Sequence, residues 1–115
     1  MPTKHLEVKI RYQARVAIID LSGEINASAD ETLKPAYLEA IETNPRVVLL
    51  NMTQVEYINS TGIAILVELL AQAYQANHRL AACGLSSHYQ EVFQIVRMTD
   101  YMELFADESS ALSTL

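Results

Sequence analysis

A continuous apolar run, RVVLLNMT at residues 46–53, constrains the fold of this chain more than any other stretch. Its side chains do not alternate between apolar and polar, so a strand formed here is covered on both faces, as is typical of parallel sheets. Residues 62–78 then place apolar side chains at helical spacing, and RLAACG at 79–84 can form a second short strand. This order predicts a parallel unit whose connecting helix packs against the sheet.

The rest of the chain extends this alternation in both directions. LEVKIRY (6–12) alternates apolar and polar residues and VAIIDLSG (16–23) is rich in β-branched residues, so together they predict a hairpin. Three further helices and one short strand are predicted at residues 24–45, 85–98, 106–115 and 101–105. The order β β α β α β α β α predicts an α/β fold: a mixed, largely parallel sheet with an N-terminal hairpin, packed by about four helices.

Local signals add detail to two of these helices. Ser28 and Glu31 have the spacing of a capping box, in which side chains satisfy the first free amides of a helix. Pro35 removes a hydrogen bond from any helix interior, so the segment either kinks there or begins a regular helix near Lys34. In the helix at 62–78, the residues at core-facing spacing are Ile63, Leu66, Val67, Leu70 and Tyr74.

Length and composition limit the class of protein. The 115 residues suit a single domain spanning 1–115, and half of them are hydrophobic. The formal charge is −6 (8 basic against 14 acidic residues) and the basic residues form no stripe, which argues against nucleic acid and fits a partner with a basic face. Cys83 is the single cysteine, and no signal core or run of roughly 20 apolar residues occurs, so we expect a cytoplasmic protein without a membrane span.

No group of residues has the spacing of a catalytic or metal site. His5, His78 and His88 are far apart and follow no HxH or HExxH pattern. The acidic pairs at 30–31 and 107–108 lie at predicted helix starts, where negative charge is favoured, so capping explains them. Phosphate-binding and nucleophile motifs such as GxxxxGKS/T, GxGxxG and GxSxG do not occur. The residues therefore give no support for a nucleotide-binding enzyme or an α/β hydrolase, and we expect no metal or cofactor site.

The junction Asn59-Ser60-Thr61-Gly62 separates the apolar strand from the apolar helix. An N-cap is the simplest role, because an Asn or Ser side chain there accepts a hydrogen bond from a free amide. A hydroxyl in the first turn also lies near the positive end of the helix, where a phosphate is favoured. The two roles are compatible if Asn59 or Ser60 is the cap and Thr61 takes the phosphate.

Three segments in order carry a resemblance to the STAS family of bacterial anti-sigma factor antagonists. VVLLNMTQVEYINSTGIAIL (47–66) resembles the family's strand, D-S-S-G-L-G-like junction and amphipathic helix. DLSGEIN (20–26) resembles its L-x-G-E-L-D strand end, and VFQIVRMTDYMELFADESSAL (92–112) resembles its C-terminal pattern. The resemblance covers nearly the whole chain and implies a STAS-like mixed sheet packed by helices and a regulator that is not an enzyme.

The resemblance also implies partners and site residues. Members bind an anti-sigma factor, often a histidine-kinase-like serine kinase, which phosphorylates a junction hydroxyl and so abolishes binding; a phosphatase restores it. Thr61 matches the usual phosphoacceptor and Ser60 matches the serine before it. The implied partner-binding surface combines the end of the second strand, the junction and the exposed face of the following helix, with the residues Asn26, Asn59, Gly62 and Glu68.

The chain departs from the family pattern at Asn59 and Asn26, where members usually carry aspartate. Each change removes a negative charge near the expected site, which alters the electrostatic match to a basic kinase face. Two alternatives stay open. One is a STAS module that is not phosphorylated and acts by self-association or scaffolding in a signalling complex. The other is a lone STAS domain that holds a small ligand or lipid.

Overall fold

The structure is a computed structural model that describes residues 5–115 and contains a five-stranded sheet in the order β1-β2-β3-β4-β5. The first two strands are antiparallel and the others add in parallel. This confirms the predicted mixed, largely parallel sheet with an N-terminal hairpin. Residues 1–4, part of the segment in which we saw no signal core, lie outside the described range. The strands are β1 (Glu7–Gln13), β2 (Val16–Ile25), β3 (Val47–Ile58), β4 (Arg79–Cys83) and β5 (Glu103–Phe105).

Four α-helices are present in the described residues, as the sequence predicted. Each of the first three connects two neighbouring parallel strands, and right-handed crossovers between sequential strands place such helices on the same face of a sheet. Short 3-10 turns precede the first helix and follow the third, at Ala27–Ala29 and Met98–Asp100. The helices are α1 (Asp30–Ile41), α2 (Ser60–Gln75), α3 (Ser87–Ile95) and α4 (Glu108–Thr114).

Side-chain alternation along the strands divides the core into two layers. On one face, residues such as Ile19 and Leu50 pack with α1, α2 and α3. On the opposite face, Ile18 and Leu49 pack beneath α4, whose Ala111 is fully buried. The central strands are therefore covered on both sides, which explains why the run at 46–53 is apolar without alternation.

The first helix differs from one of the two expectations for it. It begins at Asp30 and contains Pro35, so the alternative of a regular helix beginning near Lys34 is wrong. Proline removes one helical hydrogen bond, at a cost of about 3 kcal/mol in a helix interior. The helix persists because it buries an apolar stripe against the sheet, formed by Leu33, Ala36, Tyr37 and Ala40.

The N-caps of the helices differ in part from those expected. The side chain of Asn26 accepts hydrogen bonds from the backbone N–H and the hydroxyl of Ser28, at 3.0 and 2.8 Å. Asn26 therefore caps the turn before α1, and the predicted capping box of Ser28 and Glu31 is wrong. At the last helix, Asp107 accepts from the backbone N–H of Ser110 at 2.8 Å, as its position predicted.

The buried stripe of α2 is also rotated from the predicted one. Leu66 and Leu70 are buried as expected, but Val67 is 41% exposed and Tyr74 is 62% exposed. Leu69 and Ala73 face the core beside Leu66 and Leu70. Helical periodicity identifies an apolar stripe, but only the neighbouring elements decide how much of its width is covered.

Candidate partner-binding site

The junction lies where β2 and β3 end side by side. Ile25 and Ile58 are partners in the parallel ladder, and the backbone N–H of Asn59 donates to the carbonyl of Ile25 at 3.2 Å. Asn26 and Asn59 directly follow these two partners in the chain. The structure therefore brings together two of the predicted site segments that are more than 30 residues apart in sequence.

Asn59 is the N-cap of α2. Its backbone is extended, with φ −87° and ψ 178°, and its side-chain oxygen accepts from the backbone N–H of Gly62 at 2.8 Å. Between the two candidates for this role, the structure thus selects Asn59 over Ser60. Both departures from the family's aspartates, at positions 26 and 59, are asparagines whose side-chain oxygens make capping bonds. The substitutions therefore retain the capping function while removing the charge.

Gly62 allows α2 to approach the end of β2. A Cβ atom at this position would lie 2.0 Å from the carbonyl oxygen of Ile25 and 2.7 Å from its carbonyl carbon. Both are backbone atoms of a paired strand, so they cannot move aside as a flexible side chain could. Gly62 is itself buried, so its contribution to the predicted partner-binding surface is indirect: it positions the first turn of α2.

The two candidate phosphoacceptors are exposed on this first turn. Ser60 and Thr61 are the first two residues of α2, and both are exposed. Within the described residues, neither hydroxyl makes a hydrogen bond, because the capping role belongs to Asn59. Glu68 is also exposed and lies seven residues after Thr61, which places the two on the same face of the helix. The structure thus brings Thr61 and Glu68 onto one surface.

Glu68 borders a narrow groove between α1 and α2. The residues around it include Asp30 and Lys34 from α1 and Gln72 from α2. The groove extends the exposed face of α2 towards the first helix, which begins just after Asn26 and its 3-10 turn. The predicted residues therefore border one continuous region formed by the start of α1, the junction and α2.

Tyr89 is a supporting residue of the junction that the sequence did not reveal. Its hydroxyl accepts from the backbone N–H of Ile58 at 2.9 Å and lies 3.3 Å from the Ile58 carbonyl oxygen, to which it can donate. Tyr89 belongs to α3, 31 residues further along the chain. Its position in an amphipathic helix carries no signal for this contact, because the contact depends on how α3 packs beside β3.

A second polar cluster lies on the α4 face of the sheet. The guanidinium of Arg11 donates to both carboxylate oxygens of Asp20, at 2.6 and 2.8 Å, and also to the carboxylate of Glu108 in α4. The side-chain amide of Asn51 donates to Asp20 at 2.8 Å. These bonds tie β1, β2 and β3 to the start of α4, so the cluster anchors the last helix on the sheet.

The charges of this cluster shift the ionisation of its members. Hydrogen bonds from Arg11 hold the pKa of the Asp20 carboxyl below its usual range, with a smaller contribution from Asn51. The same carboxylates raise the pKa of Arg11. Burial, together with the nearby carboxylates, raises the pKa of the Cys83 thiol to about 11. A thiol with this pKa stays protonated at neutral pH, so the buried Cys83 is a poor nucleophile.

The remaining ionisable groups do not assemble into a metal site in the part of the chain that the structure describes. No group of three or more His, Cys, Asp or Glu side chains is placed to hold a metal ion there. His78 instead shares a hydrogen bond of 2.9 Å with the Tyr37 hydroxyl through its Nδ1 atom. Between residues 5 and 115, none of the helices is both long and apolar enough to span a bilayer.

The chain is similar in sequence and in fold to known proteins. The STAS domain family matches residues 7–111 of the chain. The anti-sigma-B factor antagonist of Listeria monocytogenes is 30% identical over 100 residues, which cover 86% of each chain. The crystal structure of an anti-sigma factor antagonist from Mycobacterium paratuberculosis has a TM-score of 0.79 at 17% identity, covering 96% of this chain and 93% of that one.

A further solved structure is that of the Bacillus cell fate determinant SpoIIAA in its phosphorylated form. It has a TM-score of 0.71 at 19% identity and covers 94% of this chain and 98% of its own. Similarity at this identity reflects a shared fold. The chain belongs to the STAS domain family.

Proposed function

We propose that this chain is an anti-sigma factor antagonist whose binding is switched by phosphorylation of Thr61 or Ser60. The observation that carries the proposal is the pair of exposed hydroxyls on the first turn of α2, next to the end of β2. The relative from Listeria monocytogenes is named an anti-sigma-B factor antagonist, and SpoIIAA is described in both unphosphorylated and phosphorylated forms.

The proposed partner-binding surface is the region around the junction. Asn26 and Asn59 hold its two loops, while Gly62 sets the distance between α2 and β2. Glu68 extends the surface along the exposed face of α2 and contributes a negative charge. An acidic domain with a formal charge of −6 favours a partner with a basic face, and such pairing raises the association rate at low ionic strength.

A phosphate at Thr61 would change this surface without unfolding it. The positive end of the α2 dipole favours an added negative charge, so the helix itself tolerates the modification. The phosphate adds about two negative charges and three strongly hydrated oxygens. A partner that covers the junction would have to remove that hydration, and this cost weakens binding unless the partner supplies matching donors.

The proposed partners are an anti-sigma factor with serine or threonine kinase activity and a phosphatase that reverses the modification. A cytoplasmic location is part of the same proposal, because a sigma factor and its inhibitor act on transcription inside the bacterial cell. At positions 26 and 59 this chain carries asparagine where members usually carry aspartate. The partner's charge pattern opposite these two positions would therefore differ from that of the partners of other members.

The test measures binding of the purified kinase-type anti-sigma factor from the same genome by calorimetry. We expect Thr61→Glu or Ser60→Glu to weaken binding at least about tenfold, which corresponds to about 1.4 kcal/mol. Incubation with the kinase and ATP should also add one phosphate to the wild-type chain, located by mass spectrometry at residue 60 or 61. The Thr61→Ala and Ser60→Ala variants identify which hydroxyl accepts it.

A matched control is Ser109→Glu. Ser109 is exposed and is the second residue of α4, as Thr61 is of α2, but α4 lies on the opposite face of the sheet. This variant should bind as the wild type does. The proposed switch would be refuted if the anti-sigma factor bound both glutamate variants with unchanged affinity and no phosphate appeared at residue 60 or 61.

A further inference from the structure

An apolar patch is exposed beside the C-terminal half of α2. Its members come from α2, from the end of α3 and from the turn that follows. Their exposed fractions range from 41% for Val67 and Val96 to 74% for Ile95. We call this surface the α2–α3 patch and define it by Val67, Tyr74, Ile95, Val96 and Tyr101.

The patch contains a groove and raised side chains next to each other. The groove has a volume of about 330 Å³ and is lined by four members of the patch together with Leu70 and Met98. Tyr74 and Tyr101 form an edge-to-face pair with ring centroids 5.0 Å apart. Ile95 does not line the groove, and it directly precedes Val96, which does. The surface therefore combines a concave part with a raised apolar side chain at its rim.

The patch carries little net charge. The charged residue that lines the groove is Arg97, whose guanidinium is paired with the carboxylate of Asp100 at 2.9 Å. A strongly charged partner would find no unpaired charge of opposite sign in this lining. A second copy of the same surface, in contrast, meets no local repulsion from it. The overall charge of −6 acts at longer range and is screened at physiological ionic strength.

The exposed area fits the requirement of a small homodimer. An aromatic side chain offers about 150–250 Å² and Val or Ile somewhat less, so the exposed fractions of the five side chains give roughly 500 Å². A stable interface buries about 800 Å² on each partner, and about 65% of a homodimer interface is apolar. That share is roughly 500 Å² as well, so the patch supplies the apolar part of one such interface.

We infer that the α2–α3 patch is a self-association surface through which two copies of this chain form a two-fold symmetric dimer. In such a dimer the same patch is used on both copies, so a surface with both a groove and a raised side chain can be complementary to itself. The inference does not depend on the proposed phosphorylation switch.

The dimer would leave the junction accessible. Tyr74 lies 13 residues after Thr61 on α2, and a rise of 1.5 Å per residue separates their positions by about 20 Å along the helix. Tyr74 therefore lies far from the phosphoacceptor, although Val67 of the patch is next to Glu68 of the proposed partner-binding surface in the middle of α2. A dimer built in this way presents two junctions, and each can engage its own anti-sigma factor.

The test measures molar mass by sedimentation equilibrium of the full chain, from about 1 µM to about 500 µM. We expect the wild type to form a dimer in this range, and Tyr74→Glu and Ile95→Glu to weaken association at least about tenfold. Both residues are well exposed, so the variants should fold, and circular dichroism checks this. Because the patch itself is nearly uncharged and the chain is acidic, added NaCl should preserve or strengthen the dimer.

Leu38→Glu is the matched control, because Leu38 is a 50% exposed apolar residue of α1 outside the patch. It should associate as the wild type does. A wild-type chain that stays monomeric throughout the range would overturn the inference. So would a dimer that both patch variants leave intact, or a monomer that native mass spectrometry shows to carry a small molecule lost in Tyr74→Glu.

Discussion

Replacing Gly62 with alanine has two opposing effects on the stability of the protein, and the structure shows which is larger. Alanine is more favourable than glycine in a helix by about 1 kcal/mol, so helix propensity alone predicts a more stable protein. The Cβ atom, however, would lie 2.0 Å from the carbonyl oxygen of Ile25, whereas such contacts are essentially never closer than 3.0 Å. The start of α2 must therefore move away from β2 by about 1 Å.

The atoms that the new Cβ would meet belong to the backbone of Ile25 in a paired strand, so they cannot move aside as a flexible side chain could. Overpacking of this kind typically costs about 1–3 kcal/mol. Separation of the two elements also weakens the hydrogen bond from Asn59 to Ile25, and a buried group left without its partner costs about 1–3 kcal/mol. After subtracting the gain in helix propensity, we expect Gly62→Ala to lower the free energy of unfolding by about 1–5 kcal/mol.

Urea denaturation followed by circular dichroism measures this change, provided that the slope with denaturant stays the same. Ala64→Gly is the control, because Ala64 is exposed on the same helix and its replacement changes helix propensity without a backbone clash. It should cost about 1 kcal/mol. A Gly62→Ala variant as stable as the wild type, or more stable, would show that the close approach of α2 to β2 does not limit this position.

Two further predictions concern the contacts that support the sheet and the junction. The pKa of Asp20 is lower in the folded protein than its unfolded value near 3.8, so the ionised carboxylate stabilises the fold above that pH. This stabilisation is lost as the pH falls through the folded pKa. Asp20→Asn removes the titrating group and should therefore flatten the acid side of the pH–stability curve. An equally steep acid limb in the variant would contradict this. Tyr89→Phe should cost about 1–2 kcal/mol and speed amide exchange at Ile58 by NMR; unchanged exchange would count against the contact.

The sequence predicted the order of the elements because each element has a recognisable pattern of apolar and polar residues within a short segment. Alternation in 6–12, the continuous run at 46–53 and helical spacing after Gly62 each depend on which faces of a short segment are buried. The junction was recognisable for the same reason, since a capping residue and the hydroxyls after it are neighbours in the chain.

The contacts between distant segments could not be predicted in this way. The exposure of Val67 and Tyr74 depends on how far α3 covers α2, and their own spacing does not show that. The bond between Tyr89 and Ile58 likewise depends on the packing of α3 beside the end of β3. Asn26 replaced the expected capping box because the chain leaves β2 through a 3-10 turn before α1 begins.

The sequence by itself determined the α/β class of this protein, its element order and the presence of two hydroxyls at the start of a helix, because these follow from periodicity and capping within short segments. The tertiary structure decided that Asn26 lies beside the junction, that Gly62 touches β2 and that the α2–α3 patch remains uncovered. Each of these depends on the relative positions of elements that the chain brings together only when the sheet forms.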